Sequence, residues 1–325
     1  MMHGLSALTL TGVLLAGSLS SGAQDEATST PAATPVPVEE ITYPLRQEQL
    51  SLLTGDVQRP NALHWFRDHL YAACSGDSTI YEIDARDADT RVYIYGVFNA
   101  HTLHVEVDDA GILTIWAPDY ERDALVRVTR NGVREVRGDL DGPWGIAPLG
   151  DQDFLVTSLK GDRALLVYRG GAAREVMNGL RSPTGIALDE ERVYVANTGS
   201  ARRAIEWAPR DEVLSDSGVP ATTRPLVSGL QNATGLVLAQ DGRLYFSYAL
   251  GTRGVVGRVD PERCSAQGGC SHEDVELVLF SGLEAPLAGL SISPDMRLFV
   301  HSLYSPDIYW ARLPADREPQ SPRPG

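Results

Sequence analysis

Positive charge is scarce in this chain. Its 325 residues carry 28 Lys and Arg against 43 Asp and Glu, a formal net charge of −15. Nucleic acids and anionic membrane surfaces are held by clustered Lys and Arg, so neither is an expected partner. An acidic surface that keeps the protein soluble accounts for the balance. A Gly-x-Ser-x-Gly nucleophile elbow, a phosphate-binding glycine loop and a dinucleotide fingerprint are all missing, which removes the chemistries those motifs carry. Beyond Leu19 no stretch is long and apolar enough to cross a bilayer. Cysteine is scarce too, at three residues. Two of them bound the Gly-rich loop Cys264-Ser265-Ala266-Gln267-Gly268-Gly269-Cys270, a spacing that predicts a disulfide in an oxidising compartment. A metal clip there would need more ligands than the neighbouring His272. Cys74 ends the apolar run Tyr71-Ala72-Ala73-Cys74 and is expected to stay free, as a small buried apolar side chain.

The ends of the chain differ from its body. Leu5 to Leu19 is apolar and rich in Leu, Gly and Ala, and Ser21-Gly22-Ala23 supplies the small residues a signal peptidase reads. Residues 1–23 are therefore expected to be a signal peptide, giving a secreted or extracytoplasmic protein. Met1-Met2-His3-Gly4 lacks the usual Lys or Arg, and retention as an uncleaved anchor is the alternative. Residues 24–40 read as a Pro/Thr-rich linker, residues 41–314 as one domain, and residues 315–325 as a disordered tail.

That domain repeats itself. Ser182-Pro183-Thr184-Gly185-Ile186-Ala187-Leu188 followed by Val193-Tyr194-Val195-Ala196-Asn197 returns around Gly235 and Gly289, with looser copies around Ala62, Leu103 and Gly145. The steps between these six anchors are 41, 42, 40, 50 and 54 residues. Short β-prone runs separated by polar hairpins at this period predict an all-β, six-bladed propeller with four strands per blade. The last copy lacks a fourth strand, and Gln47 to Leu53 is expected to return and supply it, closing the ring and hiding its edges.

The phrase "Pro, polar, Gly, Ile or Leu, Ala" followed by "Leu or Val, Tyr, Val, Ala" resembles the NHL and gluconolactonase-like six-bladed propeller superfamily, from roughly Glu40 to Pro314. That resemblance implies the architecture; its members include lactonases, other hydrolases, lyase-like enzymes and non-catalytic binding modules. In its metal-dependent lactonases, the residue before the anchor glycine faces the central channel, and several blades place Asn, Asp or Glu there to hold a divalent cation. Here the column reads Asn61, Thr102, Trp144, Thr184, Thr234 and Ala288, with no carboxylate, so no metal is expected. The threonines either line the channel with hydroxyls or cap local backbone. Gly142-Pro143-Trp144-Gly145-Ile146-Ala147 with Phe154-Leu155-Val156-Thr157 also resembles one blade of the soluble quinoprotein sugar dehydrogenases. The pattern departs after Thr157, at Ser158-Leu159-Lys160-Gly161.

Other candidates lie at strand ends. His64, His101, His104 and His301 fall in three copies and could approach one another as bases, or be scattered. The three-residue spacing of His101 and His104 points their rings to opposite faces of a strand. A second rim column reads Cys74, Trp116, Ser158, Asn197, Tyr248 and Ser302, in which Trp116 and Tyr248, with Trp144, would give an aromatic mouth. The glycosylation sequon Asn232-Ala233-Thr234 overlaps the repeat phrase and is read as coincidence. The expectation is a monomeric binding module with no cofactor and no catalytic residue, whose partner is a small molecule, carbohydrate or protein. Its binding residues are the channel column and, at the rim, Trp116, Asn197, Tyr248, His104 and His301. A lactonase-like hydrolase with an altered site is the alternative, and a quinone-dependent dehydrogenase a further one.

Overall fold

The computed structural model describes residues 42–314 other than 109, 151 and 152. The expected signal segment 1–23, linker 24–40 and tail 315–325 lie outside the described residues. Six antiparallel blades follow in chain order. Blade 1 is Pro60–Phe66, His69–Cys74, Thr79–Asp84 and Thr90–Tyr95; blade 2 is His104–Val107, Leu113–Asp119, Ala124–Thr129 and Gly132–Arg137; blade 3 is Pro143–Leu149, Asp153–Ser158, Arg163–Tyr168 and Ala173–Met177. Blade 4 is Pro183–Leu188, Arg192–Asn197, Ile205–Pro209 and Arg224–Ser228; blade 5 is Leu236–Leu238, Leu244–Leu250, Arg253–Val259 and Glu276–Glu284. Blade 6 has Leu290–Ile292, Arg297–His301 and Ile308–Arg312, and its outer strand is Ser51–Thr54, paired antiparallel through Ser51 to Trp310 and Thr54 to Ile308. The N-terminal closure expected from the sequence is present, with Gln47–Gln49 as a 3-10 turn leading into it.

The two long steps in the repeat have a visible cause. The 50-residue step holds the helix Arg210–Leu214 between the third and outer strands of blade 4, and the 54-residue step holds the helix Pro261–Ala266 at the same place in blade 5. Cys264 in that second helix is bonded to Cys270. The bridge sets Cys270–Ser271 against the outer strand of blade 4 as a parallel edge. Cys74 is free and buried.

The core is six apolar layers, one at each interface between neighbouring blades. Tyr71, Val105 and Ile115 fill one; Leu155, Val195 and Met177 another; Tyr245, Leu279 and Val300 a third. A middle strand is therefore covered on both faces and reads as a continuous apolar run, as in His69–Cys74, while the outer strand Gly132–Arg137 is mostly exposed. The anchor glycines sit where these layers meet the channel. A Cβ on Gly145 would lie 2.2 Å from the Thr184 carbonyl oxygen, and one on Gly185 would lie 2.6 Å from that of Thr234. The ladder register also slips at the anchors, between Pro143 and Ile146 and between Pro183 and Ile186, a bulge that frees backbone N–H groups. A side chain of the second strand accepts them: Thr157 Oγ1 from Gly145 N (2.7 Å), Ser247 Oγ from Gly235 N (2.8 Å) and His301 Nε2 from Gly289 N (2.9 Å).

Candidate functional site

The register corrects the second copy, by one residue in the inner strand and by three in the next. Leu63 pairs with Ala72, Ile146 with Val156, Ile186 with Val195, Leu236 with Phe246 and Leu290 with Val300, in each case two residues before the end of the rim column. In blade 2, His104 pairs with Trp116 and the strand runs on to Asp119. Thr102 therefore stands where the four later blades have glycine, His101 takes the column position, and Asp119 takes the rim position assigned from sequence to Trp116. Asp119 is fully buried and accepts the backbone N–H groups of Phe98 and Asn99, much as Asn197 accepts that of Arg181. The second copy has no anchor glycine, so the sequence alone offered nothing to fix its phase.

The column residues hold blades together. Thr184 Oγ1 donates to the Ala233 carbonyl of the next blade at 3.0 Å, Thr234 Oγ1 to the Leu287 carbonyl at 3.3 Å, and Thr102 Oγ1 to the Trp144 carbonyl at 2.7 Å. Asn61 donates to Asn99 Oδ1 at 2.6 Å. Trp144 stacks flat on His101, with centroids 3.4 Å apart. Asn197 is buried, with its amide on Glu206 Oε2. Tyr248 is half-buried and lies against Phe246. His301 is fully buried, and burial depresses its pKa to about 4, with the Ser302 and Asn61 backbone pulling the other way. Burial, then repulsion from His301, lowers His101 to about 3.

Beyond this ring of contacts the channel opens into a cavity of about 630 Å³. Every blade contributes an aliphatic side chain to its wall at the same repeat position: Leu63, Leu103, Ile146, Ile186, Leu236 and Leu290. The following repeat position carries His64, His104, Ala147, Ala187, Val237 and Ser291, all of which line the cavity. Two blades thus place imidazoles where the same architecture is content with alanine, valine or serine elsewhere. Asp189, Glu190 and Arg210 also line it, and Asp189 is occupied by the backbone N–H of Arg192 and by the Tyr194 hydroxyl.

The two cavity histidines meet nearly at right angles, with ring centroids 5.7 Å apart. Behind His104, its Nε2 lies 3.3 Å from Glu106 Oε2. Trp116 Nε1 donates to Glu106 Oε1 at 2.8 Å, and both guanidinium nitrogens of Arg169 reach the same carboxylate, Nη2 at 2.8 Å. Arg169 in turn lies over the rings of Trp116 and Phe154. Burial would push the Glu106 carboxyl up, but the hydrogen bonds from Arg169 and Trp116 prevail and hold it down to about 2. Burial lowers His104, opposed by the Glu106 charge. His64 falls to about 3 through burial and then the proximity of His104. Trp116 therefore belongs to a buried network rather than to an aromatic mouth, and Glu106 faces Arg169 rather than Asn61. Arg169 comes from blade 3, far from Glu106 in sequence, and no local pattern announced it. Among the described residues no group of three His, Cys, Asp or Glu side chains is arranged to hold a metal.

No protein-family profile and no curated protein sequence matches the chain. Its backbone is similar to solved structures at low identity. A gluconolactonase of Xanthomonas campestris superposes with a TM-score of 0.62 at 16% identity, covering 82% of this chain and 89% of that one. A catalytically inactive virginiamycin B lyase from Staphylococcus aureus, in which one histidine is replaced by alanine, gives 0.52 at 16% identity over 78% and 81%. Hydrazine synthase of Kuenenia stuttgartiensis gives 0.57 at 13% identity over 80% and 97%. The chain is a six-bladed propeller resembling lyase and lactonase structures. At these identities the likeness extends to the fold alone.

Proposed function

We propose that this propeller is an exported binding module whose channel cavity takes a small, largely apolar molecule. The observation that carries the reading is the cavity itself: about 630 Å³, walled at its base by an aliphatic side chain from every blade, with His64 and His104 set into that wall and Asp189, Glu190 and Arg210 also lining it. That combination is characteristic of small-molecule sites. Carbohydrate, one of the partners expected from sequence, fits less well, since the inner wall is aliphatic in all six blades and Trp65 is the one indole in the lining. The Cys264–Cys270 bridge supports export. The test uses the neutral apolar fluorophore N-phenyl-1-naphthylamine. Saturable enhancement in wild type, lost when Ala187→Trp fills the cavity while circular dichroism is unchanged, is expected. Enhancement indifferent to Ala187→Trp, or absent from wild type, overturns the reading.

A lyase-like or lactonase-like activity is the second reading, favoured by one observation. A histidine hydrogen-bonded to a fixed carboxylate, as His104 is to Glu106, is the arrangement of an oriented general base. The virginiamycin B lyase structure shows that loss of one histidine inactivates an enzyme of this fold. Turnover of a lactone and cyclic-ester panel, abolished by His104→Gln, would promote this reading over binding.

A further inference from the structure

We infer that the channel ligand is uncharged and donates a hydrogen bond to His104 Nδ1, which makes His104 the specificity determinant of the site, with His64 packed beside it. The inference rests on the cavity-binding reading above and names the chemistry of its ligand. The first observation is the repeat frame. At one position of the inner strand, four blades carry Ala147, Ala187, Val237 and Ser291, and the other two carry His64 and His104. Because four blades build the same wall without an imidazole, the fold alone does not account for the pair. The second observation is the network behind it. Glu106 is anchored by Trp116 and by both guanidinium nitrogens of Arg169, so it is an ionised acceptor. An acceptor at 3.3 Å from His104 Nε2 places the imidazole proton on that nitrogen. Nδ1 is left with its lone pair, and no described residue hydrogen-bonds it.

The cavity therefore offers an acceptor set in an aliphatic wall, with His64 beside it at 5.7 Å between centroids. A hydroxyl or amide N–H satisfies it. A carboxylate brings only acceptors and faces a lone pair, and an ammonium group beside His104 must shed its hydration among Leu63, Ile146 and Leu236, with the cavity's carboxylates, Asp189 and Glu190, away in blade 4 and Asp189 already bonded by Arg192 and Tyr194. An ether of the same shape leaves Nδ1 unsatisfied, and rejection of an analogue that lacks a needed polar group is the stronger form of discrimination.

The experiment is calorimetry at neutral pH with four C10 probes of matched length, each below its aggregation limit: 1-decanol, decyl methyl ether, sodium decanoate and decylammonium chloride. Decanol is expected to bind about tenfold more tightly than the ether, the worth of one hydrogen bond to a buried group, with both ions weaker still. In His104→Phe the alcohol and ether should converge, while retained ether binding shows that the cavity persists. Equal affinity of alcohol and ether in wild type, or tightest binding by either ion, overturns the donor inference and leaves the cavity reading standing. Failure of all four probes to bind overturns the cavity reading and this inference with it.

Discussion

At the scale of single residues, the histidines tie stability to pH. His301 accepts the Gly289 N–H through Nε2, so protonating that nitrogen would set a donor against a donor. Its pKa falls from an ordinary value of 6.5 to about 4 in the folded protein. The unfolded chain takes up a proton below 6.5 that the folded one refuses, so this stabilisation is complete above 6.5 and is lost as pH falls toward 4. For His301 alone it amounts to about 3 kcal/mol. Chemical denaturation across pH 4–8 should show a steep loss of stability below 6.5. Thr157 and Ser247 do the same task in blades 3 and 5, so His301→Ser borrows the repeat's own solution. It should lower proton uptake on unfolding near pH 5 by about one, and an unchanged slope would refute the assignment.

The anchor glycines make a sharper residue-level case. Gly185→Ala would press a methyl group to 2.6 Å from the Thr234 carbonyl oxygen and 2.7 Å from Leu236 Cβ. Overpacking of this kind costs about 1–3 kcal/mol. Gly170→Ala meets nothing within 4 Å and should be close to neutral. Urea midpoints for the pair provide the comparison, and similar values for both would show that the seam yields.

At the scale of elements, closure rests on four residues. Removing residues 1–54 takes away Ser51–Thr54 and leaves Ile308–Arg312 as an open edge, the kind of edge that recruits other chains. This truncation should lower the melting temperature and cause self-association on size-exclusion chromatography. Removal of residues 1–46 keeps Ser51–Thr54 and should give a monomer, although it strips the parallel strand Leu45–Arg46 and the buried Leu45 and adjoining Tyr43 side chains from blade 5. The blade pattern was legible in the sequence because alternating hairpins and a 40–50 residue period leave few other architectures. The helices Arg210–Leu214 and Pro261–Ala266 were not foreseen, although the lengthened steps to Gly235 and Gly289 marked where extra chain had to go. The site was less legible for a physical reason. Glu106 and Arg169 meet only because blades 2 and 3 pack side by side, and their pairing has no sequence period. The threonine column was ambiguous because a hydroxyl serves a seam between blades as readily as a channel.

At the scale of the whole molecule, the acidic balance is not mirrored in the channel column. The column Asn61, His101, Trp144, Thr184, Thr234 and Ala288 contains no carboxylate, and Glu106 is neutralised by Arg169. A hard cation held for Lewis-acid hydrolysis needs anionic oxygens that are open to it. Calorimetry with calcium, manganese and zinc should therefore detect no micromolar binding. Micromolar binding together with chelator-sensitive lactone turnover would displace the binding-module reading in favour of a hydrolase.

The strand that completes blade 6 has a consequence for how the protein comes into being. Ser51–Thr54 is among the first described segments to be synthesised, and its partner Ile308–Arg312 is among the last. Until that partner exists, the early strand has no ladder to join, and five blades can form in sequence while the ring stays open. The last event is a contact between residues nearly the whole domain apart, the sort of pairing whose loop-closure entropy slows folding most. Completion of the domain is therefore a late step that reports on the entire chain at once. A nascent chain halted before Ile308 would hold an assembled but unlatched arc, in which the channel cavity has walls from blades that cannot yet be held in a circle.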